Sequence, residues 1–149
     1  MRYIAHRGLM DGPNQRMENT PEQVCFALYC EFDVEIDLWW HEGQWMMGHE
    51  KPEHRIEHET LQRYDDKLWL HCRDVDTLSK ALECKFNCFA NDEDLIVVTS
   101  QGYLWSQHPK HWGSGVIAVK PELYRMQFDL SLADGICTNQ PESYRKHYE

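Results

Sequence analysis

With 149 residues and a formal charge of −10, from 25 acidic against 15 basic side chains, the chain has the length of one domain, and its surface repels phosphate backbones. General nucleic-acid binding and adhesion to anionic membranes are disfavoured, whereas a small phosphate ester held through a cation stays allowed. No segment approaches the roughly 20 apolar residues of a membrane helix, and no apolar leader with a small-residue cleavage site opens the chain. A soluble, cytoplasmic single domain over residues 1–149, without stable membrane insertion, is therefore expected.

In chain order, the first apolar run is "YIAH" at 3–6, a strand that runs directly into Arg7 and Gly8. "NTPEQVCFALYC" then predicts a helix, capped at Asn19 or Thr20, with Pro21 in its first turn and Val24, Phe26 and Leu28 behind it. "FDVEIDLWW" at 32–40 and "QWMMGH" at 44–49 read as strands joined by the turn "HEGQ". Residues 50–66 read as a solvated loop or lid.

"LWLHCR" at 68–73 predicts another strand, followed by a helix in "RDVDTLSKALECK", capped near Asp74 or Asp76, with Val75, Leu78, Ala81 and Leu82 on one side. Short runs at 88–90, 95–100, 102–105, 115–120 and 134–138 complete the strands. Strand and helix alternate at first, which points to an α/β layout with a partly parallel sheet. The six cysteines include no CxxC pair and fall mostly in apolar runs, as expected of reduced, buried thiols.

Polar residues gather at the strand ends. Alternation along "FDVEIDLWW" puts Asp33, Glu35 and Asp37 on one side and Val34, Ile36 and Leu38 on the other. Three carboxylates on one face need either solvent or a cation, and both readings stand on spacing alone. The hairpin through "HEGQ" would return His49 beside Glu35 and Asp37, where His6 also ends its strand; two histidines beside a cation can serve as acid and base. "HRIEH" at 54–58 lacks the HExxH order of a zinc protease helix, and "HPKH" at 108–111 reads as solvated loop.

Four stretches, "IAHRG" at 4–8, "ENTPEQ" at 18–23, "VEID" at 34–37 and "MMGHE" at 46–50, together resemble the glycerophosphodiester phosphodiesterase family in order and spacing. The tail "LADGICTNQPESYRK" is similar to that family's final strand, with Asn139 where an acidic residue is usual. The resemblance implies a TIM (β/α) barrel and metal-dependent hydrolysis of a glycerophosphodiester to an alcohol and glycerol phosphate, a reaction of lipid metabolism. It also implies His6 and His49 as catalytic acid and base, Arg7 on the phosphate, and Mg or Ca held by Glu35 and Asp37 with Glu18 beside them.

The next strand carries His71 and Arg73 where the family has Glu-x-Lys, which implies His71 as a metal ligand and Arg73 as a phosphate contact; Lys120 is a further candidate phosphate contact. A full barrel takes about 250 residues, so a reduced or distorted barrel is expected, with loops replacing some helices and exposed strand faces that favour a homo-oligomer. "NDED" at 91–94 reads mainly as surface, with carboxylates added to the site as the alternative, and Trp105 reads mainly as core, with the pocket wall as the alternative. Two alternatives stay open: a lyase-type enzyme releasing a cyclic phosphate, and a degenerate, non-catalytic barrel that binds a phosphorylated ligand or a protein partner.

Overall fold

A computed structural model describes residues 1–149. The chain runs β1 (Arg2–His6), α1 (Pro21–Tyr29), β2 (Asp33–His41), β3 (Gln44–Met47), β4 (His54–Arg55), α2 (His58–Arg63), β5 (Leu68–Cys72) and α3 (Val75–Glu83). It continues with β6 (Cys88–Phe89), β7 (Ile96–Val98), β8 (Leu104–Ser106), β9 (Val116–Val119), β10 (Gly135–Thr138) and α4 (Pro141–Tyr148).

All ten strands form one sheet. Across it, β6, β5, β2, β1, β10, β9 and β8 lie parallel in that order, and β7 pairs antiparallel on the outer edge of β8. The β3 and β4 strands extend from the far end of β2 as an antiparallel flap. The sheet curls enough to bring Trp69 of β5 within 5.6 Å of Trp105 of β8, although the two strands are not neighbours.

The expected (β/α) barrel does not form. Only four short helices are present, and the segments between β6 and β10 contain none beyond two short 3-10 turns at 109–111 and 121–123. The intervals there are too short for a helix and its two connections, so the chain builds a curled mixed sheet, half of a barrel, in place of alternating strand and helix layers.

Strand alternation still divides the core in two. The outer face carries Val34, Ile36, Leu38, Leu68, Leu70 and Cys72 against Val24, Ala27, Leu28 and Ala81 of the helices. The concave face carries Ile4, Trp69, Phe89, Trp105, Ile117, Val119 and Cys137 as a second cluster. Trp105 is therefore mainly core, buried to 3% exposure, and only its edge reaches the cavity.

The helix caps resolve to Thr20, whose side chain accepts from the Gln23 N–H, and Asp74, which accepts from the Thr77 N–H. Phe26, Val75 and Leu82, expected on the apolar faces, are exposed. The helices are so short that small residues make the close contact: Thr77 and Ala81 face the sheet, and the Thr77 hydroxyl accepts the Trp40 N–H at 2.7 Å. Residues 50–66 are less of a loop than expected, since β4 and α2 lie there and bury Ile56 and Leu61. All six cysteines are free, although Cys25 is exposed and only Cys72, Cys88 and Cys137 are buried. No helix is long and apolar enough to cross a membrane.

Candidate active site

The site lies at the carboxyl ends of the parallel strands, where open parallel sheets place their ligand clefts. Ladder register does most of the positioning. His6 pairs with Glu35, and Asp37 with His71, so two acidic residues of β2 each face a histidine of an adjacent strand. Asp33, the first residue of β2, sits at the other end of the curl and accepts from Arg2 at 2.9 Å and from the Trp69 indole at 3.1 Å. It plays no part in the cluster.

The return of the chain through β3 brings in His49. Leu38 pairs with Met47, and Gly48 then donates its N–H to the Asp37 carbonyl at 3.1 Å while its own carbonyl accepts the Trp39 indole N–H at 2.7 Å. A Cβ at Gly48 would overlap the carbonyl oxygen of Lys51. Gly48→Ala is accordingly expected to cost about 1–3 kcal/mol as overpacking does elsewhere, and to displace His49. A thermal melt lowered by about 2–4 °C per kcal/mol, together with reduced turnover, is the measurable result.

Two charged side chains organise the cluster. The Arg7 backbone N–H donates to Glu35 Oε2 at 3.0 Å and its Nη1 donates to Glu18 Oε2 at 3.1 Å; Nη2 lies 2.8 Å from His49 Nδ1 and Nε 3.0 Å from Asp37 Oδ2. Asp37 also accepts from Asn19 Nδ2 at 2.9 Å and returns its N–H to Asn19 Oδ1 at 2.9 Å. His49 Nδ1, His71 Nδ1 and Arg73 Nη1 approach the same carboxylate at 3.5, 3.1 and 3.7 Å. Arg7, Asn19 and Lys120 all hold left-handed backbone, with φ of 55°, 56° and 50°, a strained conformation of the kind that gathers at functional sites.

Glu35, Asp37 and His71 offer ligand atoms that lie within 4.8 Å of one another, and this group can hold a metal ion. Asp37 Oδ1 is buried and makes no aligned hydrogen bond, with His71 Nδ1 3.1 Å and Arg73 Nη1 3.7 Å from it. Glu18, expected beside the metal, instead pairs with Arg7 and stands outside this group.

Burial sets the electrostatics. It pushes the Glu35 carboxyl up to about 8, with the Asp37 charge acting in the same direction. It opposes ionisation of Asp37 too, but His49, His71 and Arg7 prevail and hold that carboxyl well below the usual range. His6 is lowered to about 3 by burial and by the charges of Arg7 and Lys120, so its imidazole is neutral. Its Nδ1 lies 2.8 Å from Asn139 Oδ1, which accepts the Nδ1 proton and leaves the lone pair on Nε2, 3.8 Å from Glu35 Oε2.

Two adjoining cavities open over these residues, of about 300 and about 410 Å³. Both are lined by His6, Arg7, His49 and Lys120. The smaller adds Glu35, His71 and Arg73, and from "NDED" only Asn91 and Asp92 reach it. The larger adds Glu18, Asn19, Glu50, Glu53 and Asn139. No family model, curated protein or solved structure matches this chain.

Sequence reasoning missed two members of the site. Asn19 was legible as a possible helix cap but bridges instead to Asp37, and Asn139 was legible as a departure from a motif but is the partner that fixes the His6 ring. Their signal was present in the sequence as polar residues adjoining strand and helix ends, without anything to name their partners.

Proposed function

We propose that the protein is a divalent-metal-dependent phosphodiesterase that cleaves a glycerophosphodiester to an alcohol and glycerol phosphate. The observation that carries this reading is that His6 and His49 line the same two cavities, together with Arg7 and Lys120, and that Glu35 and His71 of the Glu35, Asp37 and His71 group line the smaller one. The motif resemblance over residues 3–50 supports the same substrate class.

Arg7, Arg73 and Lys120 supply the positive lining that a phosphate diester needs, and Arg7 is aimed by Glu18 and Asp37. His6, with its Nδ1 proton committed to Asn139, presents its Nε2 lone pair to the attacking hydroxyl and accepts its proton as the phosphate charge offsets Arg7 and Lys120, which lower the imidazole in the free protein. His49, with Nε2 3.4 Å from Glu50 Oε1 and Nδ1 beside Asp37, returns a proton to the leaving alcohol. Glu35, Asp37 and His71 would hold a divalent ion, which when bound would neutralise the phosphate oxygens; Mg or Ca is what the resemblance implies. The attacking hydroxyl is that of water in the hydrolytic form and the substrate's own neighbouring hydroxyl in the cyclising form.

Incubation with a panel of glycerophosphodiesters and divalent ions, followed by phosphorus NMR, distinguishes these forms by product. His6→Ala and His49→Ala are each expected to lower turnover about 10²- to 10⁴-fold, the range for a lost proton-transfer group. Saturable binding of a phosphodiester with no turnover under any ion would leave a binding protein in place of an enzyme.

A further inference from the structure

We infer that the ion of this site is a first-row transition ion such as Mn²⁺, Co²⁺ or Zn²⁺, taken in preference to Mg²⁺ or Ca²⁺, because the His71 imidazole is its third protein ligand. The inference rests on the reading of Glu35, Asp37 and His71 as a metal centre.

Counting the oxygen donors is the first step. Ca²⁺ takes about 6–8 oxygens and Mg²⁺ demands an octahedral oxygen shell. Here the group offers two carboxylates; Glu18 is engaged by Arg7 at 3.1 Å, and Asp92, which lines the same cavity, lies outside the group. Three cations, Arg7, Arg73 and Lys120, line the same cavity and dilute the negative charge on which hard ions depend. An imidazole nitrogen adds affinity selectively for borderline ions.

His71 is also built as a ligand. Its ring stacks flat on Phe89, with centroids 5.0 Å apart and planes at 5°, and Phe89 is in turn packed on Trp105 at 4.8 Å. That stack leaves the ring little freedom about its last torsion. Nδ1 then lies 3.1 Å from Asp37 Oδ1 and 3.9 Å from Glu35 Oε1. These spacings bracket the roughly 3.4 Å that separates two donors each about 2.1 Å from a tetrahedral ion. The buried Asp37 Oδ1 makes no aligned hydrogen bond, and Arg73 Nη1, 3.7 Å from it and 3.5 Å from His71 Nδ1, gives way when an ion enters between them.

The test is calorimetric titration of the chelator-treated full chain with the chlorides of Mg²⁺, Ca²⁺, Mn²⁺, Co²⁺ and Zn²⁺, with pulsed EPR of the Mn²⁺-loaded protein. Zn²⁺ and Co²⁺ are expected to bind about 100-fold or more tighter than Mg²⁺ or Ca²⁺, with Mn²⁺ between, following the order of borderline-ion affinity. His71→Glu is expected to lower the Zn²⁺-to-Mg²⁺ affinity ratio by about tenfold or more, on the scale of other changes at metal shells. His71→Gln is expected to weaken Zn²⁺ without improving Mg²⁺. The Mn²⁺ spectrum of the unsubstituted protein is expected to carry nitrogen coupling that switches isotope on ¹⁵N-histidine labelling and disappears in both variants.

An unchanged ratio in a folded His71→Glu protein overturns the inference, as does nitrogen coupling that survives both substitutions. Absence of any histidine nitrogen coupling in the unsubstituted protein overturns it too, even where the variants do not fold. If Mg²⁺ binds as tightly as Zn²⁺, the role of His71 falls while the metal centre stands; if none of the five ions binds, the metal centre itself falls.

Discussion

Asp37→Asn is expected to unfold more easily than the parent chain by about 3 kcal/mol, the scale for stranding one partner of a buried ion pair, whereas Glu35→Gln is expected to be more stable than the parent at pH 7, because glutamine keeps the neutral shape that Glu35 holds only by retaining a proton above 4.5. The contrast follows from the charge each carboxyl carries before any ion binds. Asp37 is ionised and holds Arg7 Nε at 3.0 Å, Arg73 at 3.7 Å and the Asn19 amide at 2.9 Å. An asparagine amide there would set N–H groups against guanidinium N–H groups. Glu35, pushed up to about 8, is already neutral at pH 7, and glutamine reproduces its shape. Both substitutions remove a carboxylate of the proposed metal centre, so under that proposal both are expected to lower turnover by a factor of about 10³ or more. Urea titration checks the first half of the prediction and product release the second. Equal destabilisation by the two variants would sink the assignment of charge.

The second large effect is on stability against pH in the metal-free protein. Glu35 is raised from 4.5 to about 8, so its contribution is complete below 4.5 and is lost as pH rises to about 8. His6 is lowered from 6.5 to about 3, so its contribution is complete above 6.5 and is lost as pH falls to about 3. Each group changes stability by about 1.4 kcal/mol per pH unit inside its window. Between 4.5 and 6.5 the slopes oppose and cancel. A plateau is expected there, with a fall of about 2 kcal/mol between pH 6.5 and 8. Glu35→Gln should abolish that fall, and a saturating divalent ion should reverse it by binding only the folded, ionised form. Denaturant midpoints at half-unit pH intervals measure it; a fall of the same size in Glu35→Gln would assign the effect elsewhere.

Much of this site was legible in the sequence because strand alternation is a strong local signal. The spacing of Glu35 and Asp37, and the turn that returns His49 to them, follow from period-two geometry and one hairpin, and both hold. The contact of His71 with Asp37 depends on a parallel register across 34 residues, which no local pattern fixes, although the place of His71 in a strand was readable. The layer architecture was misread for a related reason. The early strands do alternate with helices, but the chain beyond Cys88 turns through loops, and the curl is sustained by the aromatic stack of Trp69, Phe89 and Trp105. Those aromatics read as ordinary core residues because their partners sit on strands remote in sequence. The exposed Phe26, Val75 and Leu82 show the same limit: helical periodicity locates a face, and only the tertiary contact decides how wide it is.

The place of β10 has a consequence for how the molecule comes into being. Its strand slots between β1 and β9, so β1 keeps one edge unpaired until residues 135–138 have been synthesised. His6 waits as long, because the amide that fixes its ring is 133 residues away. A nascent chain can assemble β1, β2, β3 and β5 with their carboxylates and histidines, yet the His6 ring lacks its amide partner until β10 docks. Fixing of the His6 ring and closure of the sheet are in this sense one event.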